Sequence, residues 1–197
     1  MDISKEILKN KTLLIILDEE QYEKKIGDVL RSLGKLHKKV CYVCLNKPYK
    51  DVMEDLKKQK VNINNFFFID VLSSYYHDRK SSRNCVFIHT PTDFISIINA
   101  LVKAVKEKGC EVVVFDTIST FLIYKQNYVI LKFTHKVLEN LKGDSRNVLI
   151  TIKGGDLLNE EREKLIKDLM MFANMSISLE TKKKEKILLD QNQLNIM

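Results

Sequence analysis

A three-layer α/β/α domain with a mainly parallel central sheet is the fold class this sequence predicts, on three observations. Short, fully apolar runs recur along the chain, among them TLLIIL (12–17) and EVVVFD (111–116). Runs apolar at every position suit strands buried on both faces. Amphipathic stretches separate these runs, so the connections are long enough for right-handed helical crossovers. The resulting order, β-α-β-α-β-(β)-α-β-α-β-α-β-β, is that of a sheet covered by helices on both sides.

Each element has its own warrant. Thr12 to Leu17 is the first strand. Glu19 to Leu33 follows as a helix, with Tyr22, Ile26, Val29, Leu30 and Leu33 on one face and Gly34 as its stop. Lys39 to Leu45 (KVCYVCL) is the second strand. Pro48 opens a helix that runs to Lys58, because proline is preorganised for a first turn. Asn65 to Ile69 (NFFFI) is a strand, Val71 to Asn84 a polar loop, and Cys85 to Ile88 a short strand. Thr90-Pro91-Thr92-Asp93 supplies a helix start, and Phe94 to Lys108 continues it up to Gly109. Glu111 to Asp116 is the strand with the plainest pattern. Gln126 to Leu141 is a helix closed by Gly143, Asn147 to Lys153 a strand, and Asn159 to Phe172 a helix. Met175 to Glu180 and Lys186 to Asp190 flank a Lys-rich turn and are expected to pair as a C-terminal β-hairpin. With no internal repeat or linker, residues 1–197 read as one domain.

Composition narrows the function classes. Apolar residues make up 45% of the 197, enough for one sizeable core, and the recurrent Ile, Leu, Val and Phe exclude a disordered chain. The apolar runs fall far short of the ~20 residues a bilayer span needs. The first residues, MDISKEILKNK, carry no apolar signal segment, and the four cysteines lack the spacing of a disulfide framework. A cytoplasmic protein with reduced thiols is expected. The net charge of +7 permits nucleic-acid contact without demanding it. Only six residues are glycine, and glycine is what phosphate-cradling loops require.

The segment EVVVFDTISTFLIY (111–124) resembles the Walker B strand and following segment of RecA/KaiC-type ATPases. The order of the other segments agrees. TLLIIL stands where that family has its P-loop strand, and KKVCYVCLNKP where KaiC-like proteins have a strand followed by paired glutamates and proline. NNFFFIDVLS, NVLITIKGG and MSISLE…KILLD match later strands, so the likeness spans roughly 12–190. Among such proteins, archaeal RecA-like domains of unknown function that lack a P-loop are the nearest in pattern, with ligand-sensing variants of microbial regulators as a related group. The resemblance implies a RecA-like sheet.

The departures from that family pattern carry the functional expectation. A P-loop needs glycines so that backbone N–H groups can approach phosphate, followed by Lys and Ser/Thr. Here the loop reads Leu17-Asp18-Glu19-Glu20-Gln21-Tyr22-Glu23-Lys24-Lys25, with no glycine before Gly27. Ungapped placement puts Lys24 at the lysine position, beside four carboxylates: Asp18, Glu19, Glu20 and Glu23. Like charges crowded beside polyphosphate cost about 4 kcal/mol per close pair at intermediate dielectric. Where KaiC-like proteins carry catalytic glutamates, this chain has Asn46 and Lys47. Asn46 cannot act as a general base and Lys47 has the opposite charge. Asp116 remains, to hold a metal or to play a structural part, and the structural part is the better expectation for one lone carboxylate. Acids at the first strand end and a lysine at the second suggest that Lys47 pairs with Asp18 or Glu19.

The other candidates have plainer readings. Cys41 and Cys44 are three residues apart on a strand, so they point to opposite faces and belong to packing. The four histidines have no metal-ligand spacing; His89, near Cys85 and at a strand's carboxyl end, is the one candidate for a nucleophilic pair. Lys153-Gly154-Gly155-Asp156 fits a turn better than an anion nest. The loop with Tyr75, Tyr76, Arg79, Lys80 and Arg83 has the composition of a single-strand nucleic-acid surface, and Lys182, Lys183 and Lys184 form a basic turn. Both are also ordinary exposed segments.

The expectation is therefore a RecA/KaiC-like domain without ATPase chemistry, cofactor or metal, acting as a regulatory, sensory or partner-docking module. Its vestigial cleft would comprise Asp18, Glu19, Lys24, Lys47 and Asp116. A protein partner is expected, and so is a monomer or small oligomer, because relatives that form rings hold nucleotide between subunits. One alternative is a degenerate nucleotide-binding subunit of a larger ATPase assembly, with Lys47, Lys125 or Lys153 completing a neighbour's site. A second is a nucleic-acid-binding accessory protein.

Overall fold

In the computed structural model, residues 3–75, 82–154 and 158–179 are described. Seven strands form one sheet: β1 (Thr12–Asp18), β2 (Val40–Cys44), β3 (Phe66–Asp70), β4 (Cys85–Phe87), β5 (Val112–Asp116), β6 (Arg146–Lys153) and β7 (Met175–Leu179). Their order is β4-β3-β2-β5-β6-β1-β7, and every pairing is parallel. Six helices connect them: α1 (Ile3–Lys9), α2 (Tyr22–Leu36), α3 (Tyr49–Lys58), α4 (Phe94–Lys106), α5 (Asn127–Asn140) and α6 (Asn159–Met170).

Strand parity divides the core in two. On β1, Leu13, Ile15 and Leu17 face the layer of α1, α2 and α3, while Leu14 and Ile16 face α4, α5 and α6. Cys41 and Cys44 fall on opposite faces in the same way, and all four cysteines are buried thiols that form no disulfide. Glycine marks two of the three expected helix stops; Gly34 lies inside α2, which continues to Leu36 and ends at His37. Gly109 and Gly143 follow α4 and α5 with φ of 71° and 85°, the left-handed region that glycine enters freely. Asp93 starts α4 by accepting the Ser96 N–H at 3.0 Å.

Three elements differ from expectation. The segment 3–9 is helical and seals Ile7 against α2, an amphipathic turn too short to show a period in the sequence. The second helix begins only at Tyr22, because Glu19–Gln21 form a 3-10 turn. The segment after β5 is a 3-10 helix, Ile118–Ile123. Met175–Leu179 is a strand as expected, laid parallel on β1; the return strand at Lys186 to Asp190 lies outside the described residues.

Candidate functional site

In parallel sheets of this kind ligands gather at the carboxyl ends of the strands. There, β1, β2, β5 and β6 surround a cleft of about 260 Å³, lined by Glu19, Tyr22, Asn46, Thr117, Ser119 and Arg162 among others. Beneath it lies Asp116, the last residue of β5 and 2% exposed. Two hydrogen-bonded contacts tie the strand ends together: the N–H groups of Leu45 and Asn46 donate to the Asp116 carbonyl at 2.9 and 3.0 Å. The Asp116–Thr117 peptide bond is cis.

The Asp116 side chain does not point into open space. Parity on β5 sends it, with Val112 and Val114, toward the layer of α2 and α3. Tyr42 of β2 lies on the same face, and Tyr22 arrives from the first turn of α2. The Tyr22 hydroxyl donates to Asp116 Oδ2 at 2.6 Å, and the Tyr42 hydroxyl donates to the same oxygen. Asp116 Oδ1 has no hydrogen-bond partner among the described residues. Burial pushes the Asp116 carboxyl up to about 6, partly offset by the two hydroxyls. Burial and the neighbouring Asp116 also push both tyrosines well above the usual phenol value.

The charges around the cleft are paired differently from expectation. Lys47 reaches Glu23 at 2.6 Å and Asp55 at 2.8 Å, not Asp18 or Glu19. Its stem follows the side of α2 facing α3, away from the end of β1. Burial alone would lower its pKa, but the hydrogen bonds its ammonium donates to Asp55 and Glu23 outweigh that and raise it. Asp18 instead lies 3.5 Å from Lys153, its register partner on β6, and Glu19 lies 3.4 Å from Arg162 of α6. Arg162 also donates to the Gly154 carbonyl at 2.5 Å. Lys24 is exposed on α2 and lines none of the cavities around it. The structure thus brings Glu19 into the cleft and Asp116 beneath it, sets Asp18 beside β6, and leaves Lys24 and Lys47 outside.

The remaining candidates separate. Cys85 is fully buried at the start of β4, whereas His89 is exposed beyond its end, so they form no pair. Gly154 has a φ of 86° and donates to Asn159 Oδ1 at 3.1 Å, as a turn does; Gly155 and Asp156 lie outside the described residues. Tyr75 closes a 3-10 turn and Arg83 is exposed beside β4, while Tyr76, Arg79, Lys80, Lys182, Lys183 and Lys184 lie outside the described residues. No group of three or more His, Cys, Asp or Glu able to hold a metal ion occurs among the described residues. Sequence reasoning missed Tyr22, Tyr42 and Arg162. Parity could have placed Tyr42 beside Asp116, and a buried tyrosine hydroxyl needs a partner; nothing local in the sequence points to Arg162.

This architecture is that of the RecA/KaiC-like α/β fold. The chain is similar to KaiC-like protein PH0186 of Pyrococcus horikoshii (TM-score 0.53, 14% identity, covering 89% of this chain and 74% of that one). It is similar to the uncharacterised protein PH0321 of the same archaeon, crystallised with an unknown peptide (TM-score 0.64, 13% identity, 86% and 77% covered). It is also similar to the flagellar accessory protein FlaH of Methanocaldococcus jannaschii (TM-score 0.52, 12% identity, 85% and 70% covered). No family model and no curated protein matches the chain. No described helix is long and apolar enough to cross a membrane.

Proposed function

We propose that this protein is a non-catalytic RecA/KaiC-like domain that works as a regulatory or partner-docking module. The observation that carries this reading is the Tyr22–Asp116–Tyr42 cluster. In an ATPase of this fold the carboxylate after the Walker B strand serves a metal, and the first turn after β1 cradles phosphate. Here that turn presents the Tyr22 ring, whose hydroxyl binds the carboxylate instead. Two carboxylates, Glu19 and Glu23, line the cleft, and Asn46 stands where a general base would be needed. Those carboxylates already engage the nearest cations, Arg162 and Lys47, so a polyphosphate would have to displace them and face the carboxylates. The donor set does not suit Mg-nucleotide.

Docking has separate support. Ile123, which lines the cleft, is 64% exposed, and Tyr124 and Tyr128, 42% and 58% exposed, follow it in the chain, apolar surface of the kind peptides bury. The similarity to a peptide-bound neighbour agrees with that use.

The test is thermal melting of the full chain with millimolar Mg-ATP, Mg-ADP and GTP. A ligand at 100 times its dissociation constant stabilises by about 2.7 kcal/mol, several degrees for a domain of this size. The expected result is no shift. A shift of several degrees that Tyr22→Ala or Lys24→Ala alters would overturn the reading and favour a degenerate nucleotide-binding subunit.

A further inference from the structure

A second cavity, of about 410 Å³, opens at the other end of the sheet, where the strands begin. A parallel sheet brings all strand starts to one end, and here four of them contribute. Lys39 precedes β2, Asn64 precedes β3, Arg83 and Asn84 precede β4, and Lys108 precedes β5. Three cations and two carboxamides therefore face one concavity, over the buried first residues of β3, and no carboxylate is among its described lining residues.

Among the described residues, the cations are held there by a backbone contact and not by a carboxylate. The Lys39 ammonium donates to the Lys108 carbonyl at 2.7 Å, which fixes the two basic segments together. No ion pair involves Lys39, Arg83 or Lys108 among the described residues. Two described acids at this end have other partners. Glu111 accepts the Lys38 N–H at 3.2 Å and faces His37 Nδ1 at 3.3 Å, and Asp144 pairs with Lys106. Converging like charges repel, and an anion bound among them would relieve that repulsion.

We propose that this cavity binds a compact phosphate-bearing ligand. Arg83 offers a planar fork of donors and Lys39 and Lys108 offer point charges, the pairing that suits phosphoryl oxygens. Asn64 and Asn84 add uncharged donors for the rest of the molecule. The volume lies in the range of small-ligand pockets. The aromatic residues of the lining, Phe66 and Phe67, are 2% and 6% exposed, so they present no free ring face. A single-stranded nucleic acid, which stacks its bases on exposed rings, finds no platform among the described lining residues.

The test uses the full chain and inorganic pyrophosphate as the probe, at constant ionic strength. Calorimetric titration should detect binding that weakens about tenfold or more in the double variant Arg83→Gln/Lys108→Gln, as expected for two lost charge-assisted contacts. Lys24→Gln, at the far end of the molecule, should leave it unchanged. Amide chemical shifts of the wild-type chain, which depend on no variant, should move at 64–67, 83–84 and 108. Absence of binding, binding indifferent to the double variant, or shifts clustered at Glu19, Tyr22 and Thr117 would overturn the proposal. So would salt-sensitive binding of a single-stranded oligonucleotide that the double variant abolishes while pyrophosphate fails to bind. Shifts at the Glu19–Thr117 end would also count against the reading of the cleft as non-nucleotide, whereas failure at the basic cavity alone would leave that reading standing.

Discussion

Asp116 is a carboxyl group kept where water cannot solvate it, and that has a pH signature. In the fold it holds its proton up to about pH 6, against 3.8 for an ordinary carboxyl. Between those values the native state binds a proton that the unfolded chain has released. The stability this confers is full below pH 4 and is lost as the pH rises through 6. The shift corresponds to about 3 kcal/mol at most. His37 acts in the opposite sense: burial lowers its pKa, so stability falls as acid protonates the unfolded chain below about pH 6.5. Comparing Asp116→Asn with the wild type isolates the first effect. In urea melts the variant should gain on the wild type between about pH 4 and pH 6.5 and level off above about pH 7, and a difference that is flat across that lower range would refute the assignment. The sequence placed Asp116 at a strand's carboxyl end and could weigh it as structural. It did not reveal the two hydroxyls, since Tyr22 and Tyr42 are 94 and 74 residues away along the chain.

Lys47 decides how two elements meet. It bridges Glu23 on α2 and Asp55 on α3, and it is about a third exposed. Lys47→Met should cost about 1 kcal/mol at low salt, with the cost shrinking in 1 M NaCl, where screening is strong. An unchanged melting temperature at low salt would deny the bridge any role. The same helix pair contains Gly27, whose added methyl would first meet the Gln59 carboxamide, the far end of a flexible side chain. Gly27→Ala should therefore be neutral or stabilising by up to about 1 kcal/mol, because alanine favours the helix. A loss above that, by thermal melting, would show that Gln59 cannot move aside. Most element types were legible from apolar spacing and glycine stops. The pairing of Lys47 was not, because which acid it meets depends on how α2 and α3 lie across β2.

At the scale of the whole molecule, one sheet separates two cores that share no side chains. Ile15 of β1 packs under α2, and Ile97 of α4 packs on the other face. Ile15→Val and Ile97→Val should each cost about 0.5–1.5 kcal/mol, and the double variant should match their sum within about 0.5 kcal/mol. A larger deviation in urea unfolding would mean that the sheet transmits repacking from one face to the other. The amino-acid sequence determined the class of this molecule. Apolar runs and amphipathic stretches are local properties of the chain, and parity along a strand divides them between two faces wherever the strand lies. Only the tertiary structure decided that a tyrosine lies against the Asp116 carboxylate, that Lys153 and Arg162 take the acids at the end of β1, and that basic residues from three strand starts share one cavity. Those contacts join segments far apart in the chain, and strand order and helix placement, which bring them together, are set by packing of the whole.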